Sequence, residues 1–255
     1  MGTICIKQTL DLGRSCVNNL INCLVASMSK LTDAPETGEP PSPAKPKRRV
    51  AKKSDLSSRE LLLRAASKEF ATKGLEGARV DQIAKKAGVN KQLVYHHFSS
   101  KEALYQAVVE QAYARIRAEE AKLHLDAGDA KEAMTRLVVF SFDYLAANRD
   151  FVSLLTDVNF HQGRHFKASE NLPQLHTLLV GMIKETLDRG AAAGQFRADA
   201  DPVQLYISIA GLGFFYFNNI HTLSSIFDRK FNDKTHIAER RAHVVDFVLQ
   251  ALRPD

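Results

Sequence analysis

The side chains best suited to chemistry in this chain fall in one short run, Lys91-Gln92-Leu93-Val94-Tyr95-His96-His97-Phe98. With Val89, Val94 and Phe98 turned inward, a helix here leaves Lys91, Gln92, Leu93, Tyr95 and His96 outside. That set suits a DNA duplex. Lys91 reaches phosphate or guanine, Gln92 pairs with adenine, and Leu93 meets a thymine methyl. Such a helix reads bases only if a second element fixes its angle. Val80, Ile83, Ala84 and Ala87 provide one, as a short apolar stripe closed by Gly88. Asn90 is a good N-cap for a helix that opens at Lys91. Residues 80–97 therefore read as two helices joined by a tight turn, a helix-turn-helix.

The flanking elements are helical too. Ser58 is placed to cap a helix with Leu62, Leu63, Ala66 and Phe70 on one side, stopped at Lys73-Gly74. Ser100 caps a long helix that opens with Lys101-Glu102 and runs to about residue 123. Further helices are expected over 130–148, 150–161, 172–190, 201–225 and 234–252, punctuated by Gly128, Gly163, Gly190, Gly194 and Pro202. No convincing alternating strand and no tandem repeat appear, so the fold class is all-α with about nine helices.

The 255 residues are 45% apolar with a net charge of +6, enough to bury a core and too apolar for a disordered chain. The excess charge is uneven: +4 over residues 1–57, +3 over 58–112 and −1 over 113–255. A basic front on a neutral body implies a polyanion-binding module joined to something else. Residues 33–57 hold five prolines and the basic run Lys45, Lys47, Arg48, Arg49, Lys52 and Lys53, which reads as a flexible basic arm, either a solvated linker or an arm that follows DNA phosphates or enters a minor groove. Residues 1–27 match neither the arm nor the helical chain beyond it, and Met28 is an alternative start. Cys5, Cys16 and Cys23 make no disulfide framework, so a reducing cytoplasm is expected. The stretch 20–26 is too short and broken by Asn22 to be an export signal. The apolar stretch 205–217 falls short of the roughly 20 residues that span a bilayer, so it reads as a core or subunit-interface helix rather than a membrane contact.

Taken together, Leu62 to Gly74, then Val80-x-x-Ile83-Ala84-x-x-Ala87-Gly88-Val89, Tyr95-x-His97-Phe98 and Lys101-Glu102-x-Leu104 resemble the TetR family of bacterial transcriptional regulators. The resemblance covers about 55 residues, in order and at the family's spacing. It implies a three-helix DNA-binding domain over 58–116 whose third helix enters the major groove. It implies phosphate contacts from Tyr95 and Lys101, with His97 and Phe98 structural. It further implies that 117–255 form a helical effector-binding and dimerisation domain. The chain departs from the pattern where members often place Thr or Ser ahead of the second helix: here Ala78-Arg79 stands, without a hydroxyl cap. Arg79 is expected to supply a charge to DNA instead. The same resemblance implies a bacterial, cytoplasmic, nucleoid-associated regulator.

The C-terminal half is less explicit. Leu205, Ile207, Ile209, Leu212, Phe214, Phe215 and Phe217, with Val244, Val245, Phe247, Val248 and Leu249, suit a four-helix interface between two copies. A homodimer would read a near-palindromic operator with half-sites ~34–36 Å apart. Candidate effector residues are His161, Arg164 and His165, with Tyr216 and Asn218 as polar tips for a small, flat aromatic or heterocyclic catabolite. His161 and His165 would lie one helical turn apart, but Gly163 intervenes and no third ligand is near, so no metal is expected. Exposed or hydrogen-bonded histidines, and a core role for Tyr216, are the competing readings. No cofactor is called for. No Gly-rich phosphate loop, Cys-x-x-Cys, His-Glu-x-x-His or Gly-x-Ser-x-Gly occurs, which argues against an enzyme. The rival is a DNA-binding nucleoid or division factor without a sensor, distinguished by a solidly packed C-terminal half.

Overall fold

The first helix starts one residue earlier in its capping chemistry than Ser58 alone would give. Ser57 Oγ accepts from the Glu60 N–H at 3.3 Å, while Glu60 accepts from the Ser57 N–H at 2.8 Å. This Ser-x-x-Glu capping box satisfies two donors at once. In the computed structural model, residues 56–164, 169 and 171–254 are described, the side chains of 171–176 excepted. Cys5, Cys16, Cys23, Met28, nearly all of the basic arm, and His165 lie outside them.

Helix α1 (Ser58–Gly77) buries Leu62, Leu63, Ala66 and Phe70, the stripe that the sequence shows. Its regular part stops at Gly74, whose φ of 65° and ψ of 178° break the ladder. Helices α2 (Val80–Ala87) and α3 (Lys91–His97) pack together, and α4 (Lys101–Glu120) comes next. Gly88 closes α2 at φ 70°, in the left-handed region that glycine enters without steric cost. Asn90 caps α3 by accepting from the Gln92 N–H at 3.0 Å, and Ser100 caps α4 through the Ala103 N–H at 3.1 Å. The N-cap of α2 is Arg79, which makes no side-chain cap bond, as the missing hydroxyl implies.

A short 3-10 turn (Ala121–Leu123) ends the α4 run; then come α5 (Ala130–Ala147), α6 (Arg149–Phe160), α7 (Asn171–Ala192), α8 (Pro202–Asn218), α9 (Ile220–Phe227) and α10 (Lys234–Ala251). Helix α5 is the hub, packing on α7, α8 and α10. Its Ala133, Met134, Leu137, Val138 and Phe142 are buried. The described residues hold ten α-helices rather than nine, and no strand. The extra one arises because 201–225 breaks at Asn219. There the Asn219 Nδ2 donates to the Phe215 carbonyl at 2.9 Å, offering the backbone a partner outside the helical ladder. The boundary expected at 116/117 falls within α4, which runs through it unbroken. No helix of the described residues is long and apolar enough to cross a membrane.

Candidate nucleic-acid interface

Ile83, Ala84, Val94 and Phe98 are buried and fix the α2–α3 angle. Val89 is only half-buried. On the other side of α3, Lys91, Gln92, Tyr95 and His96 are exposed, with Leu93 half-buried between them. Tyr95 shows half its surface, at 50% exposure, although it is a large ring in a helix with a packed inner face. The expected recognition set therefore stands on one surface of one short helix.

The junction of α1 and α2 holds a buried carboxylate. Glu69 of α1 is wholly buried and pairs with Lys86 of α2 at 2.5 Å and Lys73 at 2.9 Å. The Lys86 and then the Lys73 ammonium hold its carboxyl below the usual glutamate range, outweighing burial. This pair ties α2 to α1, so Lys86 serves the frame. The flanking cations are also engaged. Arg79 makes a two-point contact with Asp81, 3.2 Å at each nitrogen. Its guanidinium lowers the Asp81 carboxyl in turn. Lys101 points its ammonium at the carbonyls of Glu76 (3.4 Å) and Ala78 (3.5 Å), the open end of α1. A cation there offsets the partial negative charge of a helix C-terminus.

The effector candidates are dispersed. His161 stands just past the end of α6 with its Nε2 3.8 Å from Asp157, and Arg164 reaches the His161 Nδ1 at 2.8 Å and Glu76 at 3.9 Å. Tyr216 is buried, and its hydroxyl donates to the Phe231 carbonyl at 2.7 Å. Asn218 is exposed and accepts from Thr156 at 2.6 Å. A cavity of about 270 Å³ lies elsewhere, lined by Ser67, Arg115, Tyr144, Arg149 and Phe151 among others, and none of the four described candidates lines it. Among the described residues no three metal-ligating side chains come together.

Asp157 of α6 accepts from the Leu75 N–H at 3.1 Å and from the Tyr105 hydroxyl at 2.7 Å. Burial and the Asp157 carboxylate raise the Tyr105 phenol, which keeps it a donor. A Cβ on Gly74 would come within 2.4 Å of Asp157 Oδ1, so the kink and the carboxylate fit each other. One side chain on α6 thus grips the end of α1 and the side of α4. Its only sequence signal is the Gly74 stop, which shows a break but not its partner.

Comparison with known proteins agrees with this arrangement. The family model described as bacterial regulatory proteins of the tetR family matches residues 62–108, and a tetracyclin repressor-like C-terminal domain matches 131–248. The HTH-type transcriptional repressor NicS of Pseudomonas putida is 38% identical over 196 residues, covering 77% of this chain and 92% of that protein. The chain belongs to the TetR family. Its members are DNA-binding transcriptional regulators and not enzymes. Among solved structures, the regulator SCO4942 of Streptomyces coelicolor aligns with a TM-score of 0.60 at 26% identity, covering 77% of this chain and 98% of that one. KstR2 of Mycobacterium tuberculosis shares the TetR fold at a TM-score of 0.58 and 22% identity, over 81% of this chain and all of that one.

Proposed function

We propose that this protein is a homodimeric, cytoplasmic, nucleoid-associated repressor that leaves a near-palindromic operator when a small organic effector binds its helical half. The reading divides the chain into a basic arm (1–57), a DNA-binding domain (58–116) and an effector and dimerisation domain (117–255). The observation that carries it is the exposed row Lys91, Gln92, Tyr95 and His96, held out from the buried Val94 and Phe98. In the major groove, Gln92 pairs with a base edge, Leu93 lies against a thymine methyl, and Lys91 and His96 supply donors. Tyr95 and Lys101 hold phosphates, and Arg79 joins them once it leaves Asp81.

Pairing is supported by an apolar stripe on α8. Val203, Ile207 and Phe215 are 46%, 54% and 58% exposed at four-residue spacing, and Phe247 of α10 is 52% exposed. Gly211 continues the stripe with open space above it, where a partner helix can approach closely. Release is a coupling between two sites through one element with two positions. Asp157 is suited to it, because any shift of α6 pulls on Leu75 and Tyr105 together. The effector candidates His161 and Arg164 sit beside that grip, while Tyr216, Asn218 and His165 remain candidates for the ligand itself.

Selection of bound sequences from random DNA, with sedimentation equilibrium on the full chain, tests the reading. A dimer that selects two inverted half-sites one turn apart is expected. A monomer that selects one half-site would contradict it.

A further inference from the structure

Three charged side chains are buried among the described residues: Glu69, which holds α1 to α2, and Arg117 with Glu120 near the end of α4. The last two form an ion pair with side chains 5% and 3% exposed. Arg117 Nη2 also donates to the Tyr206 hydroxyl of α8 at 3.1 Å, and its Nε, fully enclosed, has no hydrogen-bond partner. As a structural device this is poor. Desolvating two charges costs several kcal/mol per ion, and apolar residues of similar volume often stabilise as well or better. A guanidinium with a vacant N–H on one edge is, however, half of a carboxylate site.

The surroundings show what such a carboxylate would be attached to. Tyr206 lies under the guanidinium, 5.6 Å from its ring centroid. The Tyr113 ring packs on Phe151 at 5.6 Å, and Phe151 on Tyr144 at 5.6 Å. Phe151 and Tyr144 in turn line the 270 Å³ cavity. Rings therefore link the cavity to Tyr113, which stands one helical turn before the buried arginine on α4. We infer that Arg117 anchors the carboxylate of a small, ring-bearing organic acid at its Nε edge, with the ring seated among Tyr113, Phe151 and Tyr144. This deepens the proposed effector reading and rests on it.

The protons must balance. Two carboxylates on one guanidinium leave a buried net negative charge, so Glu120 takes one proton from solvent as the acid enters. The proton's source is water, and no bond other than that O–H is made. Burial already pushes the Glu120 carboxyl above the usual glutamate range, although Arg117 draws it back. The groups that face the pair are Tyr206 on α8 and Tyr113 on α4. Tyr144 on α5 lies within the field of the pair and of Arg115 and Glu119.

Calorimetric titration of the full chain with benzoate, in two buffers of different ionisation enthalpy, tests this, with benzamide as uncharged isostere. At a pH where free Glu120 is ionised, benzoate is expected to bind with uptake of about one proton, and benzamide not to bind. Once Glu120 is ionised, affinity falls about tenfold per pH unit. Glu120→Gln keeps benzoate and loses the proton uptake. Arg117→Met with Glu120→Leu, whose fold is checked by its melting curve, loses benzoate. No binding of benzoate at millimolar concentration, equal binding by the double variant, or binding without proton exchange overturns the site. Operator affinity measured alongside separates the two readings. Benzoate bound as expected with no change in DNA affinity supports the site and overturns effector release. DNA release by other compounds, with benzoate unbound, does the reverse.

Discussion

The helix-turn-helix and the helical body hold their polar groups in opposite ways. In α3 the functional side chains point outward from a small apolar frame, and each of Lys91, Gln92, Tyr95 and His96 is exposed. In the body the polar groups that matter point inward and are paired across long sequence distances: Asp157 with Leu75 and Tyr105, Arg117 with Tyr206. Outward groups tune affinity without endangering the fold. Removing one partner of an inward pair leaves the other buried and unsatisfied, which makes such pairs suited to carry a conformational signal.

The largest expected effect is on the inward side. Asp157→Ala leaves the Leu75 N–H and the Tyr105 hydroxyl without their partner, at about 2–4 kcal/mol in chemical denaturation for two orphaned donors. The same variant should lower operator affinity, because α1 and α4 lose their common tie. If stability falls while DNA affinity and its response to effector are unchanged, Asp157 is structural only. Next is Glu69→Gln, which breaks the carboxylate holding Lys86 and Lys73, expected to cost about 2 kcal/mol. Since Glu69 titrates below its unfolded value, its stabilisation is complete above the ordinary glutamate range and is lost as pH falls through the lowered value. The wild type should therefore lose stability on acidification faster than Glu69→Gln, as melting curves across pH would show.

Effects on the outward side are smaller and concern DNA alone. Tyr95→Ala should weaken binding to all sequences about tenfold, leave the melting curve nearly unchanged, and lose one phosphate contact. An unaltered affinity would remove Tyr95 from the interface. Smallest is Asp81→Asn, which frees Arg79 from its two-point contact. An exposed pair of this kind contributes little to stability. A few-fold rise in DNA affinity is expected, with a steeper fall as salt increases.

The same contrast explains what was legible in the sequence. Lys91, Gln92 and Tyr95 could be placed because local rules suffice there: the Gly88 turn, the Asn90 cap, and a period that turns Val94 and Phe98 inward. The Ser57–Glu60 box shifted one cap by a residue, and Asn219 divided a helix that its apolar run made look continuous. Asp157 and the Arg117–Glu120 pair were not legible. Asp157 lies 82 residues from Leu75 and Arg117 lies 89 from Tyr206, so only packing reveals them. The residues that looked most like a ligand site, His161 and Arg164, were conspicuous by type, yet His161 stands next to Asp157 and Arg164 next to His161 and Glu76 rather than at the cavity.

If α3 reads the bases, the identity of Gln92 must set the preference at one position of each half-site. Operator affinity should be measured for wild type and Gln92→Ala against every single-base change in one half-site. Discrimination is expected to collapse at one position, by about 1–3 kcal/mol, with the other positions unchanged. An identical preference at every position would contradict base reading by α3.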